Sequence, residues 1–173
     1  MTQSLPLKHQ LKTFVVKQIL SWDAHDLAHK LRKMGVAEGD TLMVHASWKP
    51  LSGYRGKPAE LNRGLMDLVG ENGLLVMPSF TYQNESSAEF LERGIPMNVR
   101  RSPSHMGLLS EVFRRNKAVQ RSLSPTHPLL AWGDGAADFL DGHEQTEEPF
   151  GPASPFQRLL ERDAWILGLD APF

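Results

Sequence analysis

Cysteine is absent from this 173-residue chain. That excludes a disulfide framework, a thiolate zinc site and a cysteine nucleophile, and it suits a reducing compartment. Charge of one sign is equally scarce, since 20 acidic against 19 basic residues leave a formal net charge of −1. No long-range field draws such a chain to nucleic acid or to an anionic membrane, and its partners must be recognised locally. Long apolar runs are missing too; none approaches the roughly 18 residues of a membrane-spanning helix. The opening MTQSLPLKHQLKTFVVKQIL interrupts its apolar residues with lysines and lacks the core of a signal peptide, so residues 1–20 form a lead segment and a cytoplasmic chain is expected. No internal repeat or low-complexity segment appears.

What is present is enough for one core. At 40% hydrophobic content the chain is one domain or the N-terminal portion of one. SWDAHDLAHKLRKMGV predicts a helix capped by Ser21 or Asp23, with Leu27, Leu31 and Met34 on one face and Gly35 as its stop. DTLMVHAS (40–47) predicts a strand, AELNRGLMDLVG a helix burying Leu61, Leu65, Leu68 and Val69, and LLVMPSF (74–80) a second strand. Strand, helix, strand in that span is a parallel βαβ unit. The segments after both strands then leave one edge of the sheet, where open α/β sheets bind ligands. His45, Ser47, Ser79 and Thr81 are candidates by that position.

Farther on, SPSHMGLLSEVFRRNK predicts a helix capped by Ser102 or Ser104, burying Met106, Leu109, Val112 and Phe113, with Arg114, Arg115 and Lys117 near its negative end. PLLAW (128–132) predicts a strand, GAADFL a short helix, SPFQRLLER a helix with serine at the cap, and AWILGL (164–169) a last strand whose open edge would invite pairing, so an oligomer is possible. A domain seldom closes on such a strand, and this ending predicts a fragment or a shortened relative of something longer.

Three constellations carry chemistry. In RSLSPTHPLLAWG, Pro125 and Pro128 fix their own φ and bias Ser124 and His127 toward extended geometry. An imidazole aimed so firmly suits a general base; the alternative is a packed histidine bonded to a carbonyl at a strand entrance. The helix start at Ser104–Gly107 offers unpaired N–H groups and a glycine for close approach, or is simply an ordinary helix start. The stretch DFLDGHEQTEEPFG gathers Asp138, Asp141, Glu144, Glu147 and Glu148, either to receive a polycation or as a solvated face. HEQTE lacks the second histidine of a zinc protease, and GDGAAD lacks the third glycine of a dinucleotide fingerprint. His25 and His29 make a surface pair without a third ligand, and a metal hydrolase built on His45, His105, His127 and His143 has no ligand spacing behind it, so no metal is expected. Neither a serine-hydrolase elbow nor a phosphate-binding P-loop is present.

Taken in order, GVAEGDTLMVHASW, ENGLLVMPSFTY, SHMGLLSEVFRRNKAVQRSLSPTHPLLAWG and EEPFGPASPFQRLLERDAWILGL resemble the aminoglycoside N(3)-acetyltransferase family over residues 35–170. The resemblance implies an α/β fold with a mixed, largely parallel central sheet flanked by helices. It also implies acetyl-coenzyme A as cosubstrate, a small-molecule amine as acceptor, typically an aminoglycoside or related amino sugar, and a role in antibiotic resistance. By the same resemblance His127 is the base. His45, Ala46, Ser47, Ser104, Met106 and Gly107 lie beside the coenzyme, and Glu148, Phe150 and Gly151 lie on the acceptor side. Ser47 or backbone N–H groups would face the developing oxyanion. This sequence departs from the family at Ala46 and Pro128, each in place of a serine, and in the loop GYRGKP. The resemblance also implies that a further C-terminal stretch supplies more acceptor-binding carboxylates and an acidic partner for the histidine. A chain without it could instead be a non-catalytic remnant that binds coenzyme A or a protein partner.

Overall fold

The structure is a computed structural model describing residues 21–48 and 53–171. The lead segment 1–20 and part of the loop after Trp48 lie outside the described residues. Helix α1 (Ala24–Met34) opens with Asp23 as cap: its Oδ1 accepts the Asp26 N–H at 2.9 Å, and Asp26 Oδ2 accepts the Asp23 N–H at 3.0 Å. It closes on Gly35 in the left-handed region, where the N–H groups of Gly35 and Val36 donate to Arg32 and Leu31 carbonyls. That turn delivers Val36 into the core, so Met34, predicted to face inward, stays 68% exposed.

Strand β1 (Thr41–Ala46), helix α2 (Pro58–Val69) and strand β2 (Leu74–Pro78) form the expected parallel βαβ unit, with Thr41 opposite Leu74. After α3 (Ser87–Glu92), helix α4 (Leu108–Arg114) starts later than predicted. Gly107 stands at its cap with φ +111°, and neither Ser102 nor Ser104 caps it. The physical reason is Glu111, whose Oε2 accepts the Ser104 N–H at 2.8 Å and holds the preceding loop against the helix flank. Of the four residues predicted to face inward here, Leu109 and Phe113 are buried, and Met106 and Val112 are half-buried.

Strands β3 (Gln120–Arg121) and β4 (Leu129–Trp132) form an antiparallel hairpin. Helices α5 (Ala136–Leu140) and α6 (Pro155–Glu161) flank a short 3₁₀ turn at His143–Gln145, and β5 (Trp165–Leu169) completes the sheet. Strand order is β3-β4-β2-β1-β5. Strands β1, β2 and β5 run parallel and β4 opposes them, so the sheet is mixed as expected. One face packs Leu42, Val44, Leu75 and Met77 against α1, α2 and α4. The other packs Met43, Leu74, Val76, Leu129 and Ala131 against α5 and α6. Alternate residues of each strand thus serve opposite cores, as pleating requires. Ile166 on the edge strand β5 remains 62% exposed. Among the described residues no helix is long and apolar enough to cross a membrane.

Candidate active site

His127 lies in the loop joining β3 to β4, and its backbone is held from several sides. The Ser122 N–H donates to the Leu129 carbonyl, the Leu129 N–H donates to Ser122 Oγ, both at 2.9 Å, and the His127 N–H donates to Ser124 Oγ at 3.1 Å. The Ser79 N–H donates to the Pro128 carbonyl at 2.9 Å, which ties this loop to the carboxyl end of β2. The two prolines therefore act within a loop already closed at its base.

The His127 ring is half-buried. Phe80 meets it edge-on at 4.8 Å and Phe150 at 5.3 Å, while its Nδ1 lies 2.9 Å from Thr126 Oγ1. Burial pulls its pKa below the usual 6.5 and favours the neutral, proton-accepting form. With Nδ1 turned to the threonine hydroxyl, Nε2 is the nitrogen that can take a substrate proton. Its polar partner is thus Thr126, a residue that local sequence did not single out.

The other predicted residues converge on the same sheet edge by stages. His45 and Ala46 end β1, and burial lowers the His45 pKa as well. The Ser47 N–H is taken by the Leu169 carbonyl at 2.9 Å, which leaves only its hydroxyl for a ligand. Gly107 lies so close to β1 that a Cβ there would sit 3.2 Å from the Ala46 carbonyl oxygen. The Met106 N–H donates to Ser104 Oγ at 3.3 Å, and the His105 N–H donates to the Phe80 carbonyl at 2.8 Å. Phe80 in turn packs on His127, so contacts run unbroken from Ala46 through Gly107 and Phe80 to the imidazole. Ser79, a positional candidate, is fully buried, and its Oγ has no hydrogen-bond partner.

On the far side stands the EPFG segment. Phe150 is 62% exposed against His127, and the Gly151 N–H donates to the Glu148 carbonyl at 3.0 Å. Glu148 lines a groove of about 590 Å³ with Asp141, Glu147 and Arg158. All five carboxylates of the acidic stretch are exposed to solvent. The cations near the end of α4 bend inward to Glu111, which Arg114 contacts through two nitrogens at 2.8 Å and Arg115 through one. Arg114 above all, with the Ser104 N–H and Arg115, holds the Glu111 carboxyl down at about 2. Among the described residues, the only cluster of three or more possible metal ligands is Asp23, His25 and Asp26, and both carboxylates there are already spent on the α1 cap. His45, His105, His127 and His143 form no such cluster.

Residues 43–173 match the family described as Aminoglycoside 3-N-acetyltransferase. The chain belongs to that family. It is 28% identical over 162 residues to the SPbeta prophage-derived aminoglycoside N(3')-acetyltransferase-like protein YokD of Bacillus subtilis (strain 168), covering 85% of this chain and 59% of the relative. Against aminoglycoside N(3)-acetyltransferase VII of Streptomyces paromomycinus it is 30% identical over 158 residues, covering 84% of this chain and 54% of that one. The solved structure of AAC-IIIb in a binary complex with CoASH superposes with a TM-score of 0.74 at 27% identity, over 87% of this chain and 60% of that chain. The chain therefore spans little more than half the length of the curated relatives it matches.

Proposed function

We propose that this chain carries the base and the donor side of an acetyl-coenzyme A-dependent N-acetyltransferase acting on an amino group of an aminoglycoside or related amino sugar. Family membership supports the reaction class. The observation that carries the reading is the half-buried His127 imidazole between Phe80 and Phe150. The coenzyme side fits the residues present, because Gly107 leaves open the space beside the Ala46 carbonyl that a Cβ would fill. Ala46, Ser47, Met106 and Gly107 would hold the coenzyme, which supplies a thioester as acyl donor.

An ammonium is not a nucleophile and must first lose a proton. Neutral His127 accepts that proton at Nε2. The amine nitrogen then bonds to the acyl carbon, and the carbon–sulfur bond breaks with its electron pair leaving on the coenzyme thiolate, which takes up the second proton from the nitrogen. With its Nδ1–H donated to Thr126 Oγ1, the ring presents an unprotonated Nε2 to the amine. Phe80 and Phe150 limit water around the ring and hold its direction. Glu148 and its neighbours draw the cationic acceptor toward the edge. Replacing His127 by alanine is expected to lower turnover by about 10²–10⁴-fold while coenzyme A still binds. Thiol release from acetyl-coenzyme A, measured with a panel of aminoglycosides, tests this directly.

A second reading, coenzyme binding without turnover, is favoured by one feature: the imidazole's close polar partner is the Thr126 hydroxyl, not a carboxylate. Thermal stabilisation by coenzyme A with no thiol release under any acceptor would select it.

A further inference from the structure

His143 is buried to 1% exposure on the helix α5–α6 side of the sheet, out of reach of any substrate. Its surroundings nonetheless lead to His127 by two routes. The first is polar. Nδ1 lies 2.8 Å from Ser122 Oγ, the atom that also accepts the Leu129 N–H and so closes the base of the His127 loop. With that N–H on one lone pair, the Ser122 hydroxyl can still donate its proton to His143 Nδ1 when the ring proton sits on Nε2. Nε2 itself is buried with no partner at hydrogen-bond distance. The second route is aromatic. The His143 ring stands 6.0 Å from Phe156, Phe156 stands 4.7 Å from Phe150, and Phe150 stands 5.3 Å from His127.

We propose that His143 is a positioning residue: through Ser122 it shuts the loop bearing His127, and through Phe156 and Phe150 it sets the wall against which the His127 ring rests. The proposal depends on His127 being the base only for its catalytic consequence; the structural coupling stands by itself. An imidazole suits the place because it combines an acceptor for the serine hydroxyl with a flat apolar face for Phe156. An apolar residue would leave the Ser122 hydroxyl proton without its acceptor in a buried site.

The test uses the full chain with His143→Phe, His143→Asn, Ser122→Ala and the double variant Ser122→Ala/His143→Phe. Leu31→Ala, which opens the core on the opposite face of the sheet, is the control. In the parent, the His127 ring protons are expected to titrate below 6.5 and to show nuclear Overhauser contacts to Phe80 and Phe150. His143→Phe and Ser122→Ala each move that midpoint up toward 6.5 and weaken the contacts, and the double variant goes no further than either single one. His143→Asn, whose amide oxygen can take the place of Nδ1, restores most of the parental behaviour. Leu31→Ala lowers the melting temperature and leaves the His127 signals in place. In turnover, the two disruptive variants lose about 10- to 100-fold in kcat with the KM for acetyl-coenzyme A unchanged. Should His143→Phe fail to fold, Ser122→Ala decides alone. A folded disruptive variant with parental His127 midpoint and contacts overturns the proposal. If His127→Ala turns over like the parent while the spectroscopic shifts appear as described, the base assignment fails and the positioning role survives.

Discussion

A histidine 1% exposed beside a serine hydroxyl does not tolerate a proton, and that governs how this molecule should respond to acid. Burial first, then the charges of His127 and Arg158, push the His143 pKa down to about 4, against smaller upward effects from Glu144 and the Pro149 carbonyl. The unfolded chain binds this proton near 6.5 and the folded chain only near 4, so stability is full above about 6.5 and falls as the pH drops between those values. The difference corresponds to roughly 3 kcal/mol lost by about pH 4. Chemical denaturation at pH 7.5 and 4.5 should show that loss in the parent and a much smaller one in His143→Asn. Glu111 acts in a lower window. Its carboxyl is held at about 2, so its contribution is present above its ordinary 4.5 and fades as the pH falls toward 2. At this scale the local sequence was partly legible. Two prolines around His127 announced a directed imidazole, because proline acts on its own and its neighbour's backbone. Thr126, Ser122 and His143 gave no comparable signal, since their meaning depends on atoms brought together across 21 residues of chain.

Elements show where periodicity suffices and where it stops. The βαβ unit, the caps at Asp23 and Ser154 and the buried faces of α2 follow from patterns of a few residues, and the structure keeps them. Helix α4 begins at Leu108 and Met34 points outward because distant or following groups, Glu111 and Val36, compete for the local choice. Glycines mark the closest approaches between elements. At Gly133, φ is +123° and a Cβ would overlap the Gly73 carbonyl oxygen. Gly133→Ala is therefore expected to cost about 2–3 kcal/mol or more and to lower Tm by roughly 5–10 °C in a thermal melt. Gly107 is looser, with the Ala46 oxygen at 3.2 Å from a built Cβ, and it is one of the residues proposed to hold the coenzyme. Gly107→Val should cut the thermal stabilisation given by coenzyme A far more than it lowers the Tm of the free chain.

The whole molecule gathers segments from most of its length onto one sheet edge: residues 45–47, 79–82, 104–107, 127 and 148–151. This gathering follows from topology. Parallel β1 and β2 place their carboxyl ends together, and β4, running against β2, delivers its preceding loop to the same edge. Family membership fits that plan, and the matched relatives extend to nearly twice the span covered here. A ligand that binds only the folded chain must raise its Tm, so coenzyme A at 100 times its Kd should add about 2.7 kcal/mol of stability. The central claim, that His127 takes the proton from an acceptor amine, is met most directly by following thiol release from acetyl-coenzyme A with an aminoglycoside, comparing the parent chain with His127→Ala. The account predicts turnover about 10²–10⁴-fold lower in the variant, with its stabilisation by coenzyme A preserved. A variant that releases thiol as fast as the parent would contradict it.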